Sequence, residues 1–253
     1  MMDLTKVKVF VNVSSRRSPE WGMYINITNA MRYASQRGLA IEFNVTLGET
    51  LICRSRNRAL SKFLESDCTH MLTIDDDVEL PESAFVDLLM AGKDLIGGVY
   101  RLKDPKAAQV AVRIPNKANW PFILKTGVVS AAHYLSSGCM MFTREMLLKM
   151  IEHYQDLCYH ENLTNEPRWA LYQPYIYTHT SGVREYLSED WAFCQRAAEI
   201  GFPAFVHGKV QCGHWGLVKF DFQYPENFME KLIQVGDDGK LIMVNEELED
   251  RTI

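Results

Sequence analysis

The stretch HMLTIDDDVEL, residues 70–80, decides the fold class. Met71-Leu72-Thr73-Ile74 is a short apolar run, the pattern of a strand buried on both faces. It ends in Asp75, Asp76 and Asp77. Carboxylates packed this closely repel and raise one another's proton affinity, so the arrangement requires an opposite charge. The chain thus sets a negative cluster just past the carboxyl end of a buried strand, where open α/β sheets bind ligands.

Working outward, Lys6 to Val13 alternates polar and apolar residues and reads as a first strand. Met23 to Arg37 has Ile27, Ala30, Met31 and Ala34 at helical spacing, with Gly38 as its C-cap. Ala40 to Thr46 predicts a second strand. Glu49 to Ser66 predicts a second helix, with Leu51, Ile52, Leu60, Phe63 and Leu64 facing inward. Pro81 opens a helix to Met90, and Asp94 to Val99 is a strand ending in Gly97-Gly98. This β-α-β-α-β-α-β order predicts a parallel sheet covered by helices.

Beyond Arg101 the pattern is less regular. Ala107 to Ile114 reads as a strand, and Leu135 to Phe142 (LSSGCMMF) as a small-residue turn feeding another. Thr143 to Tyr154 is a helix capped by Thr143. Cys158 to Gly182 is aromatic-rich and loop-like. Ser188-Glu189-Asp190 starts a helix to Ile200, and Ala204 to Val206 and Val210 to Cys212 are short strands. The expected organisation is one domain over 1–225 and a polar, acidic tail over 226–253, partly helical or mobile.

Composition narrows the function classes. The chain has 253 residues, 47% hydrophobic and 23% charged, which suits a globular α/β protein with a sizeable core. Net charge is −5 and no basic tract stands out, which argues against a long nucleic-acid track. No apolar run approaches the ~20 residues that span a bilayer. The stretch MMDLTKVKVFVNVSS lacks a signal-peptide cleavage pattern, so a cytoplasmic protein is expected, in the host cytoplasm if it is viral. The six cysteines form no C-x-x-C pair and are expected to be reduced and mostly buried.

Five constellations carry possible chemistry. If the segment stays extended, Asp75 and Asp77 point the same way and could hold one divalent cation, Mg2+ or Mn2+ by the hardness of oxygen ligands. A solvated acidic turn capping the next helix explains them too. In GHWG, Gly213 to Gly216, His214 offers an imidazole as a third ligand, or a hydrogen-bonded surface group. Glu189 and Asp190 supply either a general base or a helix cap. Among Arg54, Arg56 and Arg58, one could contact phosphate while the others face solvent. Ser137 and Gly138 let a ligand approach the backbone, or make a tight packing turn.

Together these motifs resemble the GT-A nucleotide-diphospho-sugar glycosyltransferases, family-2-like. The order is a first strand and loop, G-E-T-L-I-x-R-x-R-N (Gly48 to Asn57), D-x-D, G-G-V-Y (Gly97 to Tyr100), S-G, E-D and a late G-H. The resemblance covers about residues 6 to 218 and is strongest to the short single-domain forms of phages and large viruses. It implies a Rossmann-like three-layer α/β/α fold with a mostly parallel sheet. It implies a UDP- or GDP-sugar donor and Mn2+ or Mg2+ held by Asp75, Asp77 and His214. Val13, Ser14, Ser15, Arg54, Arg56, Asn57, Asp75, Asp76, Ser137 and Gly138 would line the donor site. Asp190 would be the base, with Glu189 beside it. Asp76 with Asp77 is the alternative ligand register. The acceptor is open: a glycan, a protein or a modified nucleobase. A nucleotidyltransferase would want a Gly-rich phosphate loop, which the sequence lacks. A non-catalytic nucleotide- or carbohydrate-binding module is the third reading.

Overall fold

The computed structural model describes residues 3–16, 20–103, 110–161, 165–216, 219–220, 233–235 and 241–243. The chain divides into two units, Met1–Asp221 and Phe222–Ile253. The first carries strands β1 (Lys8–Ser15), β2 (Ala40–Leu47), β3 (His70–Asp75), β4 (Val78–Glu79), β5 (Leu95–Val99), β6 (Val129–Ala132) and β7 (Cys139–Thr143). It continues through β8 (Cys158–His160), β9 (Pro167–Trp169), β10 (Tyr175–Thr178), β11 (Arg184–Leu187), β12 (Ala204–Gln211), β13 (Gly213–Trp215) and β14 (Lys219–Phe220). The helices are α1 (Trp21–Ser35), α2 (Ile52–Glu65), α3 (Ala84–Met90), α4 (Trp120–Thr126), α5 (Arg144–His153) and α6 (Glu189–Glu199). In the second unit, β15 (Ile233–Val235) pairs antiparallel with β16 (Leu241–Met243). Of the tail expected to be partly helical or mobile over 226–253, only 233–235 and 241–243 are described, and the rest lies outside the described residues.

The central sheet has the order β2-β1-β3-β7-β5-β12-β6. β1 is parallel to β2 and β3, and β5 is parallel to β12. Only β7 and β6 run against the others. This is the mostly parallel, Rossmann-like α/β sheet that the resemblance implied. The chain steps from β1 to β2 in one direction and from β2 across β1 to β3 in the other. Right-handed crossovers then place α1 and α2 on opposite faces.

The core confirms those layers. Val9, Val11, Leu72 and Ile74 pack with Ile27 of α1 and Phe85 of α3 in one buried cluster. On the other face Phe63 of α2 meets Phe10 at 5.9 Å and Phe142 at 6.2 Å, and Phe193 of α6 meets Phe142 at 5.1 Å. Each such ring is worth about 1.5–3 kcal/mol of burial, which is what holds the helices against the sheet.

Several local expectations need correction. The strand order reads as continuously parallel in sequence, yet β7 lies between β3 and β5. Leu51, which caps α2, and Ile52, its first residue, are exposed at 53% and 37%, while Ser55, Arg56 and Asn57 are buried. The first turn of that helix overhangs a cavity instead of the core, so its polar residues turn in. The strand expected from Ala107 has its first residues outside the described ones. From Val110 on it makes only isolated bridges, Arg101↔Val110 and Arg113↔Tyr134, although Val112 and Ile114 are buried. Ala204 to Gln211 is one strand, with a register shift between Val206 and Gln211 where two strands were expected. The stretch Cys158 to Gly182 contains the pairs β8–β9 and the first strand of β10–β11. All six cysteines are free, and Cys68, Cys139, Cys194 and Cys212 are buried.

Candidate functional site

The site forms where β1 and β3 end. Their register sets Ser14 beside Asp75, and Ser15 is the last residue of β1. This is the point at which the chain reverses its direction of travel across the sheet, so the flanking helices diverge and leave a crevice. A cavity of about 440 Å³ opens there, with Ser14, Ser15, Asp75, Asp76, Asp77 and Glu189 in its lining. Arg16, Glu49, Ser55, Arg56, Ser136 and His214 complete its polar wall.

The strand conformation ends at Asp75, and Asp76 and Asp77 form a turn into β4. The two-residue alternation expected for Asp75 and Asp77 therefore does not apply. Each aspartate has its own partner. Asp75 Oδ1 accepts from Arg56 Nη2 at 2.7 Å. Asp76 Oδ2 accepts from Ser15 Oγ at 2.6 Å. Asp77 pairs with Lys103 through Oδ2 and faces His214 Nε2 through Oδ1 at 3.5 Å. Arg56, Lys103 and His214 are thus the groups that make three adjacent carboxylates tolerable.

Electrostatics separate Asp76 from Asp77. Burial pushes the Asp76 carboxyl up, and its two acidic neighbours push it further, against the Ser15 hydrogen bond. Burial acts in the same direction on Asp77, but hydrogen bonds from His214 and Lys103 outweigh it and hold that carboxyl below its usual value. Burial works against the charge on Arg56, whose side chain is 4% exposed. Asp75, Glu189 and Asp190 more than offset this and keep the guanidinium firmly protonated.

His214 reaches the site because β13 pairs antiparallel with β4, matching His214 to Val78, and because Trp215 N donates to the Asp77 carbonyl at 2.8 Å. Its Nδ1 lies 2.7 Å from the Arg101 carbonyl, which can only accept. A proton therefore sits on Nδ1, and Nε2 is the nitrogen that faces Asp77. The Tyr100 ring packs edge-on against the imidazole at 4.9 Å, and its hydroxyl pairs with Ser136 Oγ. Burial pushes the Tyr100 hydroxyl well above its ordinary value, so it stays protonated.

Gly138 closes the floor. A Cβ there would collide with the Tyr100 hydroxyl and come within 3.0 Å of Asp75 Oδ2. The S-G turn thus lets β7 pass directly beneath Asp75. Ser137 itself is buried, and its carbonyl accepts from Thr73 Oγ1 at 2.8 Å.

On the far wall Glu189, the first residue of α6, meets Arg56 Nη1 at 2.5 Å. Asp190 Oδ1 accepts from its own neighbour Trp191 N at 2.9 Å and pairs with Ser188 Oγ. Trp191 stacks on Tyr134, centroids 4.9 Å apart.

The expected residues therefore divide. Ser14, Ser15, Arg56, Asp75, Asp76, Asp77, Glu189 and His214 line one cavity. Val13 is buried in the apolar cluster. Arg54 turns to Glu49 (Nε–Oε2 2.6 Å). Asn57 Oδ1 accepts from Tyr172 N at 3.0 Å, tying α2 to the loop before β10. Arg58 pairs with Glu161 and Glu49. Sequence reasoning missed Lys103, Ser55, Ser136 and Glu49. Lys103 carries no local signal, being one lysine after a strand. Ser55 could have been found, because it lies one residue before Arg56 and shares its buried turn.

The donor chemistry at the rim suits a hard divalent cation: carboxylate oxygens and one imidazole whose other nitrogen is fixed. The spacing is open. Among the described residues, the trio of such groups with all ligand atoms within 4.8 Å is Glu42, Asp67 and Cys68, where Lys8 already supplies the positive charge.

No family model matches the sequence, and no curated protein matches it. Solved structures do. One is the crystal structure of GalNAc-T7 with UDP, GalNAc and Mn2+, at 9% identity and TM-score 0.48, covering 83% of this chain. The chain spans 44% of that protein. Another is a glycosyltransferase involved in the glycosylation of the major capsid of PBCV-1, at 14% identity and TM-score 0.31. That match covers 78% of this chain and 91% of the other. Among the described residues no helix is long and apolar enough to cross a membrane.

Proposed function

We propose that this chain is a metal-dependent glycosyltransferase that moves a sugar from a nucleotide-diphosphate donor, a UDP or GDP sugar, to a hydroxyl acceptor. One observation carries the reading. Three consecutive aspartates at the switch point of the sheet line a single cavity together with His214, Arg56 and Glu189.

The residues fit a divalent cation, Mn2+ or Mg2+. Asp77 and His214 already face each other, and Asp75 stands on the same rim. When bound, the ion would act as a Lewis acid on the leaving diphosphate, an effect that is largest where water is excluded. The rest falls to the chain. Ser14 and Ser15 offer hydroxyls to the donor at the end of β1. Arg56 fixes Asp75 and Glu189 relative to each other, so the two sides of the cavity keep one spacing. Asp190 is the proposed proton acceptor from the incoming hydroxyl. Its Oδ1 is oriented by Ser188 and Trp191, whereas Glu189 is engaged by Arg56. Trp191 and Tyr134 give the acceptor an aromatic surface next to that base.

A binding module without turnover is the second reading, favoured by the Arg56–Glu189 pair, which occupies one of the two E-D carboxylates. Calorimetry with UDP and GDP, with and without Mn2+, followed by an assay for hydrolysis of the matching nucleotide sugar, separates the cases. Mn2+-dependent binding with turnover lost in Asp77→Asn supports the transferase. Binding without turnover supports the module, and no binding of either nucleotide with the metal present removes the transferase.

A further inference from the structure

Lys103 stands at the cavity rim without a role in the scheme above. It follows β5 by four residues, through Tyr100, Arg101 and Leu102. Each of these is tied to the site: Tyr100 and Leu102 line the cavity, and the Arg101 carbonyl holds His214. The stem of Lys103 therefore starts from a fixed point. Its ammonium pairs with Asp77 Oδ2, opposite the oxygen that faces His214. The pair is half open to solvent, with Lys103 36% and Asp77 25% exposed.

A divalent cation competes with this ammonium for Asp77. It carries twice the charge and approaches a carboxylate oxygen to about 2.1 Å, against about 2.8 Å for an ammonium. Coulomb attraction scales as charge over distance, so the direct attraction to the carboxylate favours an exchange of ammonium for metal. It leaves Lys103 unpaired beside a cavity that is about to receive an anion.

We propose, on the reading that this cavity binds a metal and a nucleotide diphosphate, that Lys103 is a diphosphate-binding residue held in reserve on Asp77. Before ligands arrive its ammonium neutralises the carboxylate. Once a divalent ion takes Asp77, the lysine turns to the phosphate oxygens of the donor. The diphosphate of a nucleotide sugar carries about two negative charges, and a compact, strongly hydrated ammonium on a flexible stem suits that target. The same lysine thus opposes metal binding alone and favours nucleotide binding afterwards. It couples the two ligands, and linkage makes that coupling reciprocal.

The test is Lys103→Met, with Mn2+ alone followed by electron paramagnetic resonance and with UDP and GDP titrated at saturating Mn2+. Circular dichroism confirms the fold of the variant. Removing the competitor tightens Mn2+ alone about two- to fivefold, the worth of a half-exposed pair. Removing the phosphate contact weakens the nucleotide about tenfold, as for a charge-assisted hydrogen bond. Lys103→Arg restores nucleotide affinity. The opposite signs in one variant are the signature. Unchanged affinities for both ligands, or Mn2+ bound more weakly by Lys103→Met, overturn the proposal while leaving the metal-dependent reading intact. Wild-type protein that binds neither Mn2+ nor nucleotide overturns that reading, and the role of Lys103 with it.

Discussion

Arg56 and Glu189, 133 residues apart in the chain, meet at 2.5 Å across the candidate site. The same guanidinium reaches Asp75 at 2.7 Å, so one buried side chain ties the end of β3 to the start of α6. Burying a charge is costly unless it is paired, and removing one partner leaves the others exposed to that cost.

Arg56→Ala is therefore expected to destabilise the fold by about 3–5 kcal/mol in urea unfolding. Arg56→Lys keeps the charge but cannot span both carboxylates, and should lie between the variant and wild type. A loss below about 1 kcal/mol for the alanine variant would place this contact among ordinary surface pairs.

Gly138 supplies a second test. An alanine there must displace the Tyr100 ring or Asp75, since overpacking of this kind costs about 1–3 kcal/mol. Gly138→Ala is expected to lower the Tm and weaken nucleotide binding. Adding Tyr100→Phe removes the colliding hydroxyl and should recover part of both. A double variant no better than the single one would show that the ring itself or Asp75, not the hydroxyl, sets the limit.

The proposed base separates turnover from binding. Asp190→Asn should cut kcat for sugar transfer or donor hydrolysis by about a hundredfold or more, while leaving Mn2+-dependent nucleotide affinity within about threefold. Glu189→Gln breaks the pair with Arg56 and should lower stability as well. If Asp190→Asn keeps full kcat, Asp190 is a helix cap only.

Glu49 gives a pH dependence. Hydrogen bonds from Arg54 and the Leu51 amide bring its carboxyl from an ordinary 4.5 down to about 2. The folded value lies below the unfolded one, so the pairing stabilises the fold above pH 4.5. That contribution is lost as pH falls from there toward 2. Glu49→Gln should cost about 1–2 kcal/mol at pH 7, because the Arg54 partner is half exposed and partly screened. The gap in Tm between variant and wild type should narrow as pH falls from 4.5 toward 2. A gap that stays constant would assign the loss to packing.

Much of the site could be read from residues 70–80. An apolar strand ending in acids, inside a β-α alternation, placed Asp75 at the sheet's carboxyl edge; Ser14 and Ser15 came from the resemblance as part of a loop, and the structure makes them the last residues of β1. The direction of each aspartate could not be read, because strand periodicity stops where a turn begins, and here it stops at Asp75. The antiparallel strand β7 was legible as a strand but not as the neighbour of both β3 and β5, since periodicity names no partner. Leu51 and Ile52 followed a helical stripe that should face a core, and the cavity took that place. Lys103 and Glu49 owe their positions to contacts across the chain, which no local pattern encodes.

The guanidinium that joins Asp75 to Glu189 also bears on how the molecule is made. On a ribosome, Arg56 is synthesised 133 residues ahead of Glu189. Until then one side of its fork has only solvent, and β7, which passes beneath Asp75, has also yet to emerge. Contacts of such long range close slowly and late, so a nascent chain carries its acidic turn half assembled until α6 has been made.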